Sequence, residues 1–109
     1  MSNKYLNFIL TEKGKNVAFY QMQEEMKFAS SIIIQHFNTV IENKKFADLL
    51  MAKFNISDFP EGYNRGEWII FDFGDTVIHS FTQDKREKYN LDKMWQSAKV
   101  VVSPKKSKK

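Results

Sequence analysis

The sequence predicts one small α/β (α+β) domain, a mixed β-sheet with helices packed on it. Three observations predict it: the run Ile32-Ile33-Ile34, the pattern Thr39-Val40-Ile41-Glu42, and two apolar stretches joined by Gly74-Asp75. An unbroken β-branched run, without polar alternation, is the mark of a strand buried on both faces. Thr39 and Glu42 match a capping box, in which hydroxyl and carboxylate each satisfy an orphan backbone N–H at a helix start. A two-residue Gly-Asp turn tolerates the positive φ that a tight hairpin requires. At 109 residues the chain holds one core.

Taken in order, Asn3 to Lys13 reads as a helix, because Tyr5, Leu6, Ile9 and Leu10 fall at helical spacing. Lys13 suits the C-terminal dipole and Gly14 a left-handed cap. Asn16 to Met22 reads as a strand, Glu24 to Ala29 as a connection with room for one helical turn, and Ser31 to Phe37 as the buried strand. The helix after Thr39 has an inner stripe of Val40, Ala47, Leu50 and Phe54, widened by Phe46 and Leu49. Asn55 to Gly66 is a loop punctuated by Pro60, Gly62 and Gly66. Glu67 to Phe73 and Thr76 to Thr82 form the hairpin. Leu91, Met94 and Trp95 make a short helix capped by Asn90, and Lys99 to Val102 a last strand. The expected order is helix, two strands, helix, hairpin, short helix, strand.

The net charge of +4 is concentrated at one end. Lys105, Lys106, Lys108 and Lys109 leave 13 basic and 13 acidic residues in Met1 to Val102. The expected organisation is therefore a neutral domain over 1–102 and a Lys-rich disordered tail over 103–109. A neutral body is not one that wraps nucleic acid. The tail is read as a solubilising end or as a weak, salt-sensitive contact to RNA phosphates. No cysteine is present, which excludes disulfides and thiolate metal sites. No apolar stretch reaches membrane-spanning length, and no signal or transit pattern opens the chain, so a cytoplasmic protein with no membrane partner is expected.

With Gly74-Asp75 as the turn, Phe73 faces Thr76, Asp72 pairs with Val77, Phe71 with Ile78, Ile70 with His79, Ile69 with Ser80 and Trp68 with Phe81. Ile69, Phe71, Phe73, Ile78 and Ser80 then share the natural core face. Trp68, Ile70, Asp72, Val77, His79 and Phe81 share the other. Apolar and aromatic groups interleaved with an acid and an imidazole suit a protein-binding patch. The plainer reading is a second helix covering this face, with His79 hydrogen-bonded in the core. Asp72 and Asp75 do not make a metal site: Asp75 is a favoured turn residue, and Asp72 has one histidine and no second carboxylate on its face. There is no Gly-rich phosphate loop, and Ser30-Ser31 lacks an obvious base. Neither an enzyme nor a cofactor is expected.

An ordered set of short motifs runs through the second half: Glu61-Gly62, Trp68-Ile69-Ile70-Phe71-Asp72, Gly74-Asp75, Val77-Ile78-His79-Ser80-Phe81, Arg86, Tyr89-Asn90-Leu91 and Met94-Trp95. Together, over about 35 residues, they resemble the ribosomal silencing factor family (Iojap-like, RsfS). The first half departs from the family pattern. An Asp before the second strand is replaced by Ser30, and a Ser-Gly-x-Ser-like step by His36-Phe37-Asn38-Thr39.

The resemblance implies a nucleotidyltransferase-like topology without that enzyme's active site. It implies binding to the large ribosomal subunit, at the basic intersubunit-face protein numbered fourteen, with steric block of subunit joining and repression of translation. A role in large-subunit maturation is the companion expectation, and a homodimer off the ribosome is compatible with the same patch. The residues expected to bind the partner are Trp68, Ile70, Asp72, Asp75, His79, Phe81, Arg86 and Tyr89. Trp68, Ile70 and Phe81 would be apolar anchors, the aspartates would meet Lys or Arg, and Arg86 and Tyr89 would extend the surface. For Tyr89, Leu91 and Trp95 the other reading is structural, as pins for the short helix.

Overall fold

The computed structural model describes residues 3–21, 31–94 and 99–102. Its elements are α1 (Lys4–Thr11), β1 (Lys15–Gln21), β2 (Ser31–Phe37), α2 (Val40–Lys53), β3 (Trp68–Asp72), β4 (Thr76–Thr82), α3 (Gln83–Tyr89), α4 (Leu91–Met94) and β5 (Lys99–Val102). The strands form one mixed sheet in the order β3-β4-β2-β1-β5. β2 and β4 run parallel, and the other neighbours antiparallel. β2 is central, and all seven of its residues are buried, as its unbroken β-branched run requires.

Local chemistry sets the element ends. Asn3 caps α1, its Oδ1 accepting from the N–H groups of Tyr5 and Leu6, while its Nδ2 donates to Thr76 Oγ1 at 3.2 Å. The helix stops at Glu12 in extended backbone, so Gly14 is not a left-handed cap. A Cβ at Gly14 would meet the end of the buried Gln35 side chain, which would have to shift. At α2 the Thr39 hydroxyl accepts from Glu42 N–H at 3.1 Å. The Glu42 carboxylate reaches back to the N–H of Asn38, one residue further than the standard capping box. α2 buries Asn43, Phe46, Ala47 and Leu50. Leu49, expected inside, is 51% exposed. Asn43 takes an inner position because its amide donates to the carbonyls of Gly66 and Ser80, each at 2.9 Å.

One face of the sheet, with α1 and α2 against it, holds the main core of Ile9, Phe19, Ile33, Phe46, Leu50, Ile69 and Ile78, among others. The hairpin register matches the expected one pair for pair, from Trp68–Phe81 to Asp72–Val77. Phe73 continues the core face, stacked on Tyr5 at 4.0 Å between ring centroids. The opposite face carries a smaller cluster of Ala18, Tyr20, Ile32, Ile34 and Phe81, with Trp68, Val77 and Leu91 half-buried around it.

The segment after the hairpin differs from expectation. Gln83–Tyr89 is a helix, and Asn90 closes it in the left-handed conformation (φ 47°), its N–H donating to Arg86 O at 2.8 Å. Asn90 is thus the end of α3 as well as the entry to α4. No helix among the described residues is long and apolar enough to cross a membrane. The expected connection over 24–29, Trp95 and the Lys-rich tail lie outside the described residues.

Candidate partner-binding face

The site is built on β3, β4 and α3. Strand alternation brings Trp68, His79 and Phe81 together, and α3 adds Tyr89. The Trp68 ring lies 5.0 Å from Phe81 and 4.9 Å from Tyr89, centroid to centroid. Its indole N–H donates to His79 Nδ1 at 3.0 Å. Indole nitrogen only donates, so Nδ1 carries the lone pair and the proton sits on Nε2. Burial holds the imidazole neutral, its pKa pushed down to about 4. The result is a rigid aromatic plate, half-exposed at Trp68 and 46% exposed at Tyr89.

Phe81 has no exposed surface. It supports Trp68 from beneath, and its expected place among the surface anchors is corrected accordingly. Ile70 is half-buried, and Asp72 and Asp75 are exposed. Asp72 also shapes the turn: its Oδ1 accepts from Gly74 N–H at 2.9 Å, with Gly74 at φ 89°.

Arg86 is placed apart from the plate. Its Nε and Nη2 donate to the two carboxylate oxygens of Asp92 at 3.1 and 2.9 Å. Its Nη1 donates to the carbonyl of Asn16 at 2.8 Å and reaches His36 Nδ1 at 3.0 Å. Tyr20 completes this cluster by donating to Asp92 at 2.8 Å. Only 11% of the Arg86 side chain is exposed. Its guanidinium fastens α3 and α4 to β1 and β2, which corrects its expected role as an extension of the surface. Burial and the neighbouring guanidinium depress His36 to about 4. Burial and the Asp92 hydrogen bond push the Tyr20 phenol up to about 12.

Sequence reading missed two parts of the surface. Beside Ile70 and Asp72 lies an open cleft of about 380 Å³ to which the preceding loop contributes Asp58 and Glu61, so this edge carries three carboxylates. Beside Trp68 and Tyr89 a second cleft, of about 240 Å³, includes Lys85 and Glu67. The loop reaches the sheet through Glu61, whose carbonyl accepts from Ile70 N–H at 2.9 Å. Gly62 follows at φ 84°, where any Cβ would strike the Trp68 carbonyl. That close approach is a physical reason for a Glu-Gly pair ahead of a Trp-led strand.

The family model for "ribosomal silencing factor during starvation" matches residues 1–109. The chain belongs to this family. A ribosomal silencing factor of Halalkalibacterium halodurans is 46% identical over 41 residues, covering 38% of this chain and 35% of that relative. The aligned stretch is thus about a third of that relative's length. The Haemophilus influenzae silencing factor is 26% identical over 87 residues, covering 76% of this chain and 85% of the relative. A mouse protein, mitochondrial assembly of ribosomal large subunit protein 1, is 24% identical over 97 residues, 83% of this chain and 42% of its own length. Among solved structures, one from Bacillus halodurans superposes with a TM-score of 0.64 at 26% identity, covering 85% of this chain and 95% of that one. One from Chromobacterium violaceum superposes with a TM-score of 0.71 at 20% identity, covering 97% and 98%, and bears on the fold alone. Within the silencing factor fold of this chain, no group of three or more His, Asp or Glu among the described residues is arranged to hold a metal ion.

Proposed function

We propose that the chain binds the large ribosomal subunit through the β3–β4–α3 face, docking on the basic protein numbered fourteen, and represses translation by blocking subunit joining. The single observation that carries this reading is one face on which the half-buried Trp68 and exposed Tyr89, with Arg65, Lys85 and Glu67 beside them, share strand β3 with an acidic cleft of Asp58, Glu61 and Asp72. Aromatic anchors beside an acidic rim complement a basic protein surface, and steric occlusion needs no chemistry. Asp75, at the exposed turn, lies along the same edge. The family membership and the silencing factor relatives support the same partner class.

A role in large-subunit maturation is the second reading, favoured by the mouse relative named for large-subunit assembly. Both readings require the same docking. The Lys-rich tail would add a weak ribosomal RNA contact, and the aromatic plate would serve a homodimer away from the ribosome. The setting for all of these is the cytoplasm.

The test is co-sedimentation with isolated large and small subunits. Wild-type protein pellets with the large subunit alone. Trp68→Ala and Tyr89→Ala, verified as folded, weaken this by about tenfold or more, as loss of an aromatic anchor does. Equal binding to both subunits that vanishes when residues 103–109 are deleted would replace docking with tail-driven RNA binding.

A further inference from the structure

Away from the aromatic plate, α1 and α2 leave a groove between them. One end is a cleft of about 540 Å³ lined by Lys4, Asn7, Phe8, Thr11, Lys53 and Phe54. The other, meeting it at Thr11, is a cleft of about 290 Å³. Phe37, Phe46 and Leu49 give it an apolar wall, and Lys13, Lys15 and Lys45 lie around it. Two carboxylates, Glu12 and Glu42, also line this end. Glu42 accepts from the Asn38 N–H, while the Thr11 hydroxyl beside Glu12 spends its proton on the Phe8 carbonyl at 2.6 Å. Among the described residues no salt bridge engages Lys13, Lys15, Lys45 or Lys53. Leu49 and Leu10 are 51% and 50% exposed, although helices of this kind usually turn leucine inward.

We infer that this groove is a second docking site, and that its occupant is an acidic amphipathic helix of another protein. Charge complementarity sets the sign: five lysines outnumber the two carboxylates, Glu12 and Glu42, along the apolar strip. Backbone chemistry sets the shape. The long walls are α1 and α2, and at the end where Lys15 of β1 enters, the Lys15 and Asn16 carbonyls already accept from Arg86, which disfavours an extended peptide. An occupant must satisfy its own backbone, as a helix does, and lay apolar side chains into the cleft. The chain's own end is a poor candidate, because Ser103 to Lys109 carries four lysines and no leucine, isoleucine or aromatic residue. RNA is disfavoured too. Phe37 and Phe46 are buried, and the half-buried Phe8 and Phe54 already pack on each other, with Phe54 also on Tyr5, so the groove offers no free-standing ring for a base. This site is independent of the ribosome-docking reading and leaves Trp68 and Tyr89 free, so the chain would join two partners at once.

The experiment uses the full chain and a displayed library of amphipathic helices of about 16 residues, long enough to hold a helical turn pattern. Their apolar stripe is fixed, and their flanks are drawn from Glu, Gln and Lys. The expected result is enrichment of Glu at the flanks. A synthetic peptide of the enriched sequence then binds with an affinity that falls about tenfold in Lys13→Glu/Lys45→Glu and in Leu49→Asp, and is unchanged in Trp68→Ala. Circular dichroism confirms that the variants fold, and Lys45→Gln serves as the milder substitution if one does not. Enrichment of Lys, no enrichment, or a peptide indifferent to Leu49→Asp would overturn the proposal. So would an oligouridine of about 20 nucleotides that binds the groove regardless of Leu49, which would make the lysines a phosphate track.

Discussion

On one face of the sheet, Ile33, Ile69 and Ile78 have no exposed surface, and α1 and α2 close over them. On the other, Trp68, Ile70, Val77 and His79 keep part of theirs. The polar groups divide the same way. Among the described residues the buried polar groups of the core face are neutral, and Gln35, Asn43 and Ser80 form a network in which Ser80 Oγ donates to Asn43 at 2.6 Å and accepts from Gln35 at 3.0 Å. The opposite face holds the ionisable groups: His36, His79, Tyr20, Arg86 and Asp92. In the β3–β4 hairpin one side is therefore specified for packing and the other for holding a polar, partly open surface in shape, while β2 is buried on both.

The largest effect tests that division with neighbours in sequence. Ile78→Ala removes a fully buried side chain from the closed face and should cost about 3–4 kcal/mol in urea unfolding. Val77→Ala, one residue away on the open face, should cost about 1 kcal/mol. Equal costs would mean that the second face is closed as tightly as the first.

Next is the Arg86 cluster. Arg86→Ala leaves the half-buried Asp92 carboxylate with Tyr20 as its remaining side-chain donor and removes the donor to the Asn16 carbonyl and His36 Nδ1, so it should cost about 2–3 kcal/mol. Large-subunit binding per folded molecule should change little, because the guanidinium faces inward. A variant of undiminished stability that fails to bind would return Arg86 to the surface.

A smaller effect is the pH dependence. His36 and His79 both titrate at about 4 in the folded chain, below the ordinary histidine value of 6.5. The unfolded chain then binds more protons between those limits, so stability is full above about pH 6.5 and falls as pH drops toward 4. Asp92 acts in the same sense, over a lower pH range. The Arg86 and Tyr20 bonds outweigh burial and hold its carboxyl below the usual range, so its contribution fades only at still lower pH. Thermal melts at pH 7 and 5 should differ by several degrees. His79→Asn keeps an acceptor near the indole and should remove part of that difference. No change would place the pH response on His36 alone.

Much of the sheet was legible in the sequence because its cues are local. Ile32-Ile33-Ile34 marked the central strand, and Gly74-Asp75 set a register found unchanged in the structure. α3 was not legible: Gln-Asp-Lys-Arg-Glu-Lys-Tyr buries no residue, so no apolar periodicity betrays it. What supports it is tertiary, the reach of Arg86 to carbonyls about 70 positions away in the chain. The candidate face was half legible. Alternation put Trp68, His79 and Phe81 together, but it gave no depth, so a fully buried Phe81 and a half-exposed Trp68 looked alike. The carboxylates of Asp58 and Glu61 come from a loop whose path depends on the close passage at Gly62, which no spacing rule contains.

The smallest effect on stability separates charge from shape on the open face. Asp72→Asn keeps an oxygen where Gly74 N–H donates, so the turn survives and unfolding should move by less than about 0.5 kcal/mol. The negative charge is lost. If the β3 edge meets a basic partner, large-subunit binding should weaken a few-fold at low salt and lose some of its salt dependence, since an exposed interfacial charge acts through screened attraction. Trp68→Phe is the complement: it keeps a ring over Phe81 but removes the donor to His79, which leaves the charge untouched while loosening the plate. Its binding loss should be the same at low and high salt. If both variants showed one salt profile, the acidic edge and the aromatic plate would not be two parts of one docking surface.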